Sequence, residues 1–201
     1  MFSPTQFLFG SELRTDYSEL VVRDMNLPNL LTLIRILLIP LFVILIINQS
    51  LWWALIIFAL AGITDGIDGL IARITRQRTE LGAYLDPIAD KLLLAAGFIT
   101  LAIIGMLPSW LAVIVITRDM IILLGILVMI LTHVPLKIQP STISKITTSL
   151  QISTILLVLM APYGTTLKHL ATIAIYGTTF FTILSGAHYI YVGTMMVNQK
   201  K

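Results

Sequence analysis

The 201-residue chain has no cysteine, which excludes disulfide frameworks and thiolate-rich metal sites and leaves its redox compartment open. Charge is scarce as well. Asp, Glu, Lys and Arg make up 11%, under half the level of about 25% usual in soluble domains, and this excludes a soluble globular fold. No long basic run exists, and the basic residues flank apolar segments, so nucleic acid is not an expected partner. The first thirty residues lack the basic start and apolar core of a cleavable signal, and carry Glu12, Asp16, Glu19 and Asp24. His133, His169 and His188 have no metal-ligand spacing and read as structural, and no serine- or cysteine-centred triad emerges.

What remains is apolar. With 57% hydrophobic residues and a mean hydropathy of +0.96, the chain contains several runs of the roughly 20 residues needed to span a bilayer. The first begins at Asn29 and ends near Ile47. Five more follow: Leu51–Ala72, Ala83–Gly105, Pro108–Leu131, Ile143–Ala161 and Leu170–Met195. The expected fold is an all-α integral membrane protein with six transmembrane helices over 29–197, followed by a solvated tail over 198–201. Residues 1–28 read as an N-terminal amphipathic helix on the membrane surface, because Leu13, Tyr17, Leu20 and Val21 follow helical spacing. Asn48-Gln49-Ser50 and Met106 to Ser109 are short uncharged turns on one side. On the other lie Arg73, Arg76, Arg78, Lys137, Lys145, Lys200 and Lys201; only Lys168 falls in a loop opposite. By the positive-inside rule, that side and both termini are cytoplasmic.

Against this apolar background four acids stand out. Asp65 and Asp68 are spaced i,i+3, and Asp86 and Asp90 i,i+4, so each pair shares a helix face. A polar connection from Ile74 to Leu81 separates the pairs, and the two segments should fold back as antiparallel neighbours with all four acids at similar depth. An acid at the centre of a membrane helix costs about 2.5–3.5 kcal/mol. Four together also repel, and a hard dication such as Mg²⁺ or Mn²⁺, bound through oxygen, removes both problems. The alternative is capping or pairing with Arg73, Arg76, Arg78 and Lys91, and Asp86 before Pro87 does read as a helix cap.

Asp65, Asp68-Gly69, Ala72-Arg73, eight residues, Gly82, Asp86 and Asp90 resemble the signature of the CDP-alcohol phosphatidyltransferases at every fixed position. The resemblance is closest to the branch making phosphatidylglycerophosphate or cardiolipin. It implies a six-helix membrane enzyme, commonly a homodimer, with a cytoplasm-facing cavity. It also implies transfer of a phosphatidyl group from CDP-diacylglycerol to an alcohol, releasing CMP. On the matching positions, Asp65, Asp68 and Asp86 hold the metal, and Asp90 shares it and serves as catalytic base. Gly69, Ala72 and Gly82 let the nucleotide approach the backbone, and Arg73 meets its phosphates. Asn29, Thr32 and Arg35 share one face of the first span, which the resemblance turns towards the nucleotide.

Arg118 and Asp119 sit near the middle of the fourth span, where ionisable groups are functional candidates; adjacent on a helix, each should need its own partner. Lys145 opens the fifth span. Lys145 and Arg118 are the candidate acceptor-binding residues. Glycerol 3-phosphate enzymes usually add two cations, at positions that read Ile126 and Thr147 here, so the lead acceptor is phosphatidylglycerol, with glycerol 3-phosphate the alternative. Gly62, Gly66 and Gly69 form a small-residue stripe, with close helix packing expected at Gly62. An ion-coupled transporter is the competing class, but it calls for midplane charges and internal repeats, whereas these acids cluster towards one face.

The cysteine-free background makes topology measurable. In intact cells an impermeant maleimide should label Lys168→Cys and spare Arg76→Cys; the reverse pattern overturns the orientation.

Overall fold

The computed structural model describes residues 27–75, 80–131 and 142–198, with side chains described over 32–64, 88–125 and 142–195. Within them the chain is all-helical. Six α-helices follow in order: α1 (Leu27–Ile47), α2 (Leu51–Thr75), α3 (Glu80–Ile103), α4 (Ser109–Leu131), α5 (Thr142–Met160) and α6 (Thr165–Asn198). A single 3-10 turn, Ala161–Tyr163, joins α5 to α6. The expectations for the surface helix of 1–28, for Arg76, Arg78, His133, Lys137, Lys200 and Lys201, and for the side chain at Ile126 lie outside the described residues.

Helix boundaries follow local chemistry. Pro28 sits in the first turn of α1, where its missing N–H is not needed. Both turns at one end of the bundle close with the same carbonyl-satisfying motif. After α1, Gln49 N–H donates to Ile46 O and Ser50 N–H to Leu45 O; after α3, Gly105 N–H donates to Ala102 O and Met106 N–H to Leu101 O. The motif places its turning residue at positive φ, 77° for Gly105 and 57° for Gln49. Only the second is a residue with a Cβ.

Three expectations change here. Asp86 and Pro87 are not a helix start, because α3 already begins at Glu80 and runs through them. Gly82 likewise lies within α3, so the link between α2 and α3 shrinks to 76–79. Lys168 is in the first turn of α6 rather than in a loop, since that helix starts at Thr165.

The antiparallel pairing expected of α2 and α3 falls largely outside the residues with described side chains. Among the described residues, α2 and α3 each pack chiefly against α1, and the remaining helices close the bundle through α3–α4, α4–α6, α5–α6 and α2–α5 contacts. Phe42 of α1 shows how this works. Its ring stacks on Phe58 of α2 with centroids 5.3 Å apart. A Cβ added at Gly97 of α3 would come within 3.4 Å of the same ring and 2.9 Å of Ile155 Cδ1 on α5. The close approach therefore belongs to Gly97, not to Gly62, whose added Cβ would meet nothing within 4 Å. Phe42, Phe98, Leu94, Leu101, Leu111, Ile155 and Leu159 fill the core.

Two described stretches are long and apolar enough to cross a membrane, Thr142–Tyr163 and Thr165–Met195; Thr32–Ile47 and Leu51–Thr64 are apolar but shorter. The outer surface carries many large apolar side chains, Leu37, Ile103, Val113 and Ile173 among them. All three tryptophans are exposed beside the turns at one end: Trp52 and Trp53 after the α1–α2 turn, Trp110 after the α3–α4 turn. Tyr163 at the α5–α6 turn meets Trp52 edge-on at 5.9 Å. Such amphipathic rings settle at a membrane interface.

The two turns give substitutions of opposite sign. Gly105→Ala should lower thermal stability in detergent by about 1 kcal/mol, and Gln49→Gly should raise it by a similar amount. Calorimetry or nephelometric melting of the two variants checks both signs.

Candidate active site

The four acids lie on two continuous helices. Asp65 and Asp68 fall in the last three turns of α2, and Asp86 and Asp90 in the first three turns of α3. Asp65 is ten residues from the end of α2 and Asp90 ten residues from the start of α3, roughly 15 Å along each axis. The four acids thus fall at comparable distances from the connected ends of the two helices. The side chains of Asp65, Asp68, Asp86, Arg73, Asn29 and the cradle positions Gly69, Ala72 and Gly82 lie outside those described. Asp90 is described, and it is half-buried.

The polar face of α1 turns inward. Thr32 and Arg35 are both 1% exposed, on the helix that contacts α2 and α3 together. A guanidinium is tolerated at that depth only where opposite charge and hydrogen bonds compensate it. Such burial matches a helix face directed at a charged centre, not a lipid-facing one.

A second polar centre ties four helices together. Lys91 of α3 places its Nζ 3.0 Å from both carboxylate oxygens of Asp119 on α4. Oδ1 of Asp119 also accepts from Arg118 Nη1 at 2.6 Å. Arg118 Nη2 donates to Ser144 Oγ of α5 at 2.6 Å and to Ser185 Oγ of α6 at 2.9 Å, and Nε donates to Ser185 at 3.3 Å. Its Cζ also lies 5.9 Å from the Tyr189 ring centroid. Four of the five guanidinium N–H groups are thereby engaged, with Arg118 3% and Asp119 8% exposed. The expectation that each needs its own partner holds, Asp119 meeting Lys91 and Arg118 meeting Ser144 and Ser185, but the two neighbours also bond to each other. The long Arg118 side chain folds back along the helix so that one end of the fork reaches the next residue's carboxylate.

Lys145 follows Ser144 in the first turn of α5 and is exposed. Thr147 is fully buried and donates to the carbonyls of Ile143 and Phe181, facing α6. The seam continues down the α5–α6 interface, where Thr154 and Thr178 hydroxyls meet at 2.7 Å. Reading the sequence missed Ser144 and Ser185 as partners of Arg118. A usable signal existed: Thr178, Thr182 and Ser185, and likewise Thr147, Gln151 and Thr154, recur at intervals of three or four and mark facing helix stripes. His169 is exposed on α6, and His188 is half-buried, its ring edge-on to Tyr189.

An all-helical bundle with two acid-bearing helices and this pattern defines a class. A family model for CDP-alcohol phosphatidyltransferase matches residues 25–184, and the chain belongs to that family. Its relatives point to two products. It is 35% identical over 179 residues to a probable cardiolipin synthase (CMP-forming) of Drosophila melanogaster, covering 81% of this chain and 56% of that protein. It is 34% identical over 177 residues to a probable phosphatidylglycerophosphate synthase of Mycobacterium tuberculosis, covering 84% of this chain and 81% of the relative. A Bacillus subtilis CDP-diacylglycerol–glycerol-3-phosphate 3-phosphatidyltransferase is 33% identical over 181 residues, covering 82% of this chain and 93% of its own length. The chain thus spans little more than half of the fly protein and most of the bacterial ones.

Ser185 accepts two bonds from a buried cation, so its removal has a defined cost. Ser185→Ala should destabilise the bundle by about 1.5–3 kcal/mol, the range for hydrogen bonds to charged groups. Ser153→Ala, at an exposed hydroxyl bonded only to its own helix, should stay within about 0.5 kcal/mol in the same melting assay.

Proposed function

We propose that this protein is a membrane enzyme that moves the phosphatidyl group of CDP-diacylglycerol onto a glycerol-type hydroxyl and releases CMP, with phosphatidylglycerol as acceptor and cardiolipin as product. The observation that carries the reading is the complete acid signature, Asp65, Asp68, Asp86 and Asp90, on the consecutive helices α2 and α3 of a chain belonging to this family.

The donor set suits a hard cation. It consists of carboxylates alone, and the chain has no cysteine thiolate to offer a softer metal. Asp65, Asp68, Asp86 and Asp90 would hold Mg²⁺ or Mn²⁺, which when bound neutralises the diphosphate as CMP leaves. The chain's own residues do the rest. Gly69, Ala72 and Gly82 leave the helix backbones open to the nucleotide, Arg73 pairs with its phosphate, and the face of Asn29 and Thr32 lines the approach. Asp90 takes the proton of the acceptor hydroxyl as its oxygen bonds to the phosphorus bearing diacylglycerol. The bond from that phosphorus to the bridging oxygen breaks, and CMP departs with the electron pair.

On the acceptor side Lys145 is the exposed cation, with Arg118 behind it through Ser144. A second lysine at position 147 would add a charge for a phosphomonoester. The residue there is a threonine buried against α6, which supports a singly charged phosphodiester lipid as acceptor. Glycerol 3-phosphate is the second reading, supported by the names of the mycobacterial and Bacillus relatives. The tryptophan-bearing turns and the two long apolar helices support a membrane setting, and the basic residues between spans support an active site and termini on the cytoplasmic side; the family resemblance adds the expectation of a homodimer.

Purified protein supplied with CDP-diacylglycerol, Mg²⁺ or Mn²⁺, and each acceptor in turn should release CMP and form cardiolipin with phosphatidylglycerol; formation of phosphatidylglycerophosphate from glycerol 3-phosphate in its place selects the second reading. Asp90→Asn should lower turnover by at least 10³-fold while keeping its elution profile and melting temperature, in line with loss of a general base and a metal ligand together. CMP release with neither acceptor from folded protein rejects the transferase assignment, and near-normal turnover of Asp90→Asn removes that residue from the mechanism.

A further inference from the structure

The acids and Lys145 account for donor and acceptor, but not for the carboxylate buried beside Arg118. Asp119 holds two cations at once: Lys91, one residue beyond the proposed base, and Arg118, whose other Nη group reaches Ser144, one residue before the proposed acceptor cation. Its charge is fully committed and 8% exposed. Low-dielectric surroundings make that charge felt well beyond contact distance.

We propose that Asp119 is a specificity-determining residue for the acceptor, acting through Arg118 and Ser144. This rests on the transferase reading above. One carboxylate pairs with both Lys91 and Arg118, cancels one of their two charges and holds one end of the guanidinium fork, leaving Lys145 as the cation that meets the acceptor. A singly charged phosphodiester is matched by that field. A phosphomonoester, with up to two charges, is under-compensated. Removing the carboxylate raises the local positive charge by one and frees an N–H of Arg118. Both changes favour the more highly charged acceptor. Ser144 is the mechanical half of the same device, since it anchors Nη2 on the helix that carries Lys145.

The measurement is the ratio of kcat/KM for glycerol 3-phosphate to that for phosphatidylglycerol, with CDP-diacylglycerol as donor, taken on one preparation of each variant. The fraction of folded enzyme cancels from such a ratio, so a purely structural defect leaves it unmoved. Asp119→Asn should raise the ratio about tenfold, Ser144→Ala about threefold, and Asp119→Glu should keep it within twofold of wild type. Lys91→Met, which leaves the Asp119–Arg118 pair in place, should not raise it. Equal losses with both acceptors and an unchanged ratio overturn the proposal. Where Asp119→Asn yields no folded protein by size exclusion, Ser144→Ala decides by the same criterion. A wild-type protein silent with both acceptors overturns the transferase reading and this inference with it; an active wild type with unmoved variant ratios overturns the inference alone.

Discussion

Burying charge without stranding it is the constraint on which this bundle depends. A lone ion moved into a medium of low dielectric costs several kcal/mol even after relaxation, so each must meet a partner of opposite sign with its hydrogen bonds satisfied. The Lys91–Asp119–Arg118 chain meets that requirement across α3 and α4, and the hydroxyls of Ser144 and Ser185 extend it to α5 and α6. One carboxylate serves two cations, and five side chains fix four helices at the same level. Between helices whose other contacts are largely interchangeable apolar surfaces, such a polar knot supplies what packing alone does not: a unique register.

The apolar part of the fold answers a different demand. In lipid, helix association comes from close packing rather than removal of surface from water. Here α1 is the element packed against both acid-bearing helices. Phe42 lies against Phe58 on α2 and beside Gly97 on α3, where the missing side chain makes room for it and for Ile155. The same helix, nearer its start, turns Thr32 and Arg35 inward. Apolar wedge and polar face thus sit on one helix at different depths, so the packing that orders the core also turns Thr32 and Arg35 inward.

Much of this was legible in order along the chain. Apolar runs of bilayer length located six helices to within a few residues, because hydrophobicity and short turns are local properties. The acid signature was legible for a similar reason, since spacings of three and four residues fix a helix face wherever the helix is packed. The errors were local too. Asp86-Pro87 was read as a helix start although α3 runs through both, and Lys168 was placed before its helix began. Gly62 was given the packing that Gly97 has. In each case residue type carried an average tendency that the neighbouring helices outweighed.

The chain's own order of residues therefore determined that this is a helical bundle with an acid motif on consecutive helices, and hence its family. Only the tertiary structure decided that α1 packs against both α2 and α3, that Asp119 is shared by Lys91 and Arg118, and that Arg118 reaches Ser144 and Ser185. The reason is distance along the chain. Lys91 and Asp119 are 28 residues apart, and Arg118 and Ser185 are 67 apart. No helical periodicity relates such positions; they meet because the packing of whole helices brings them to one depth.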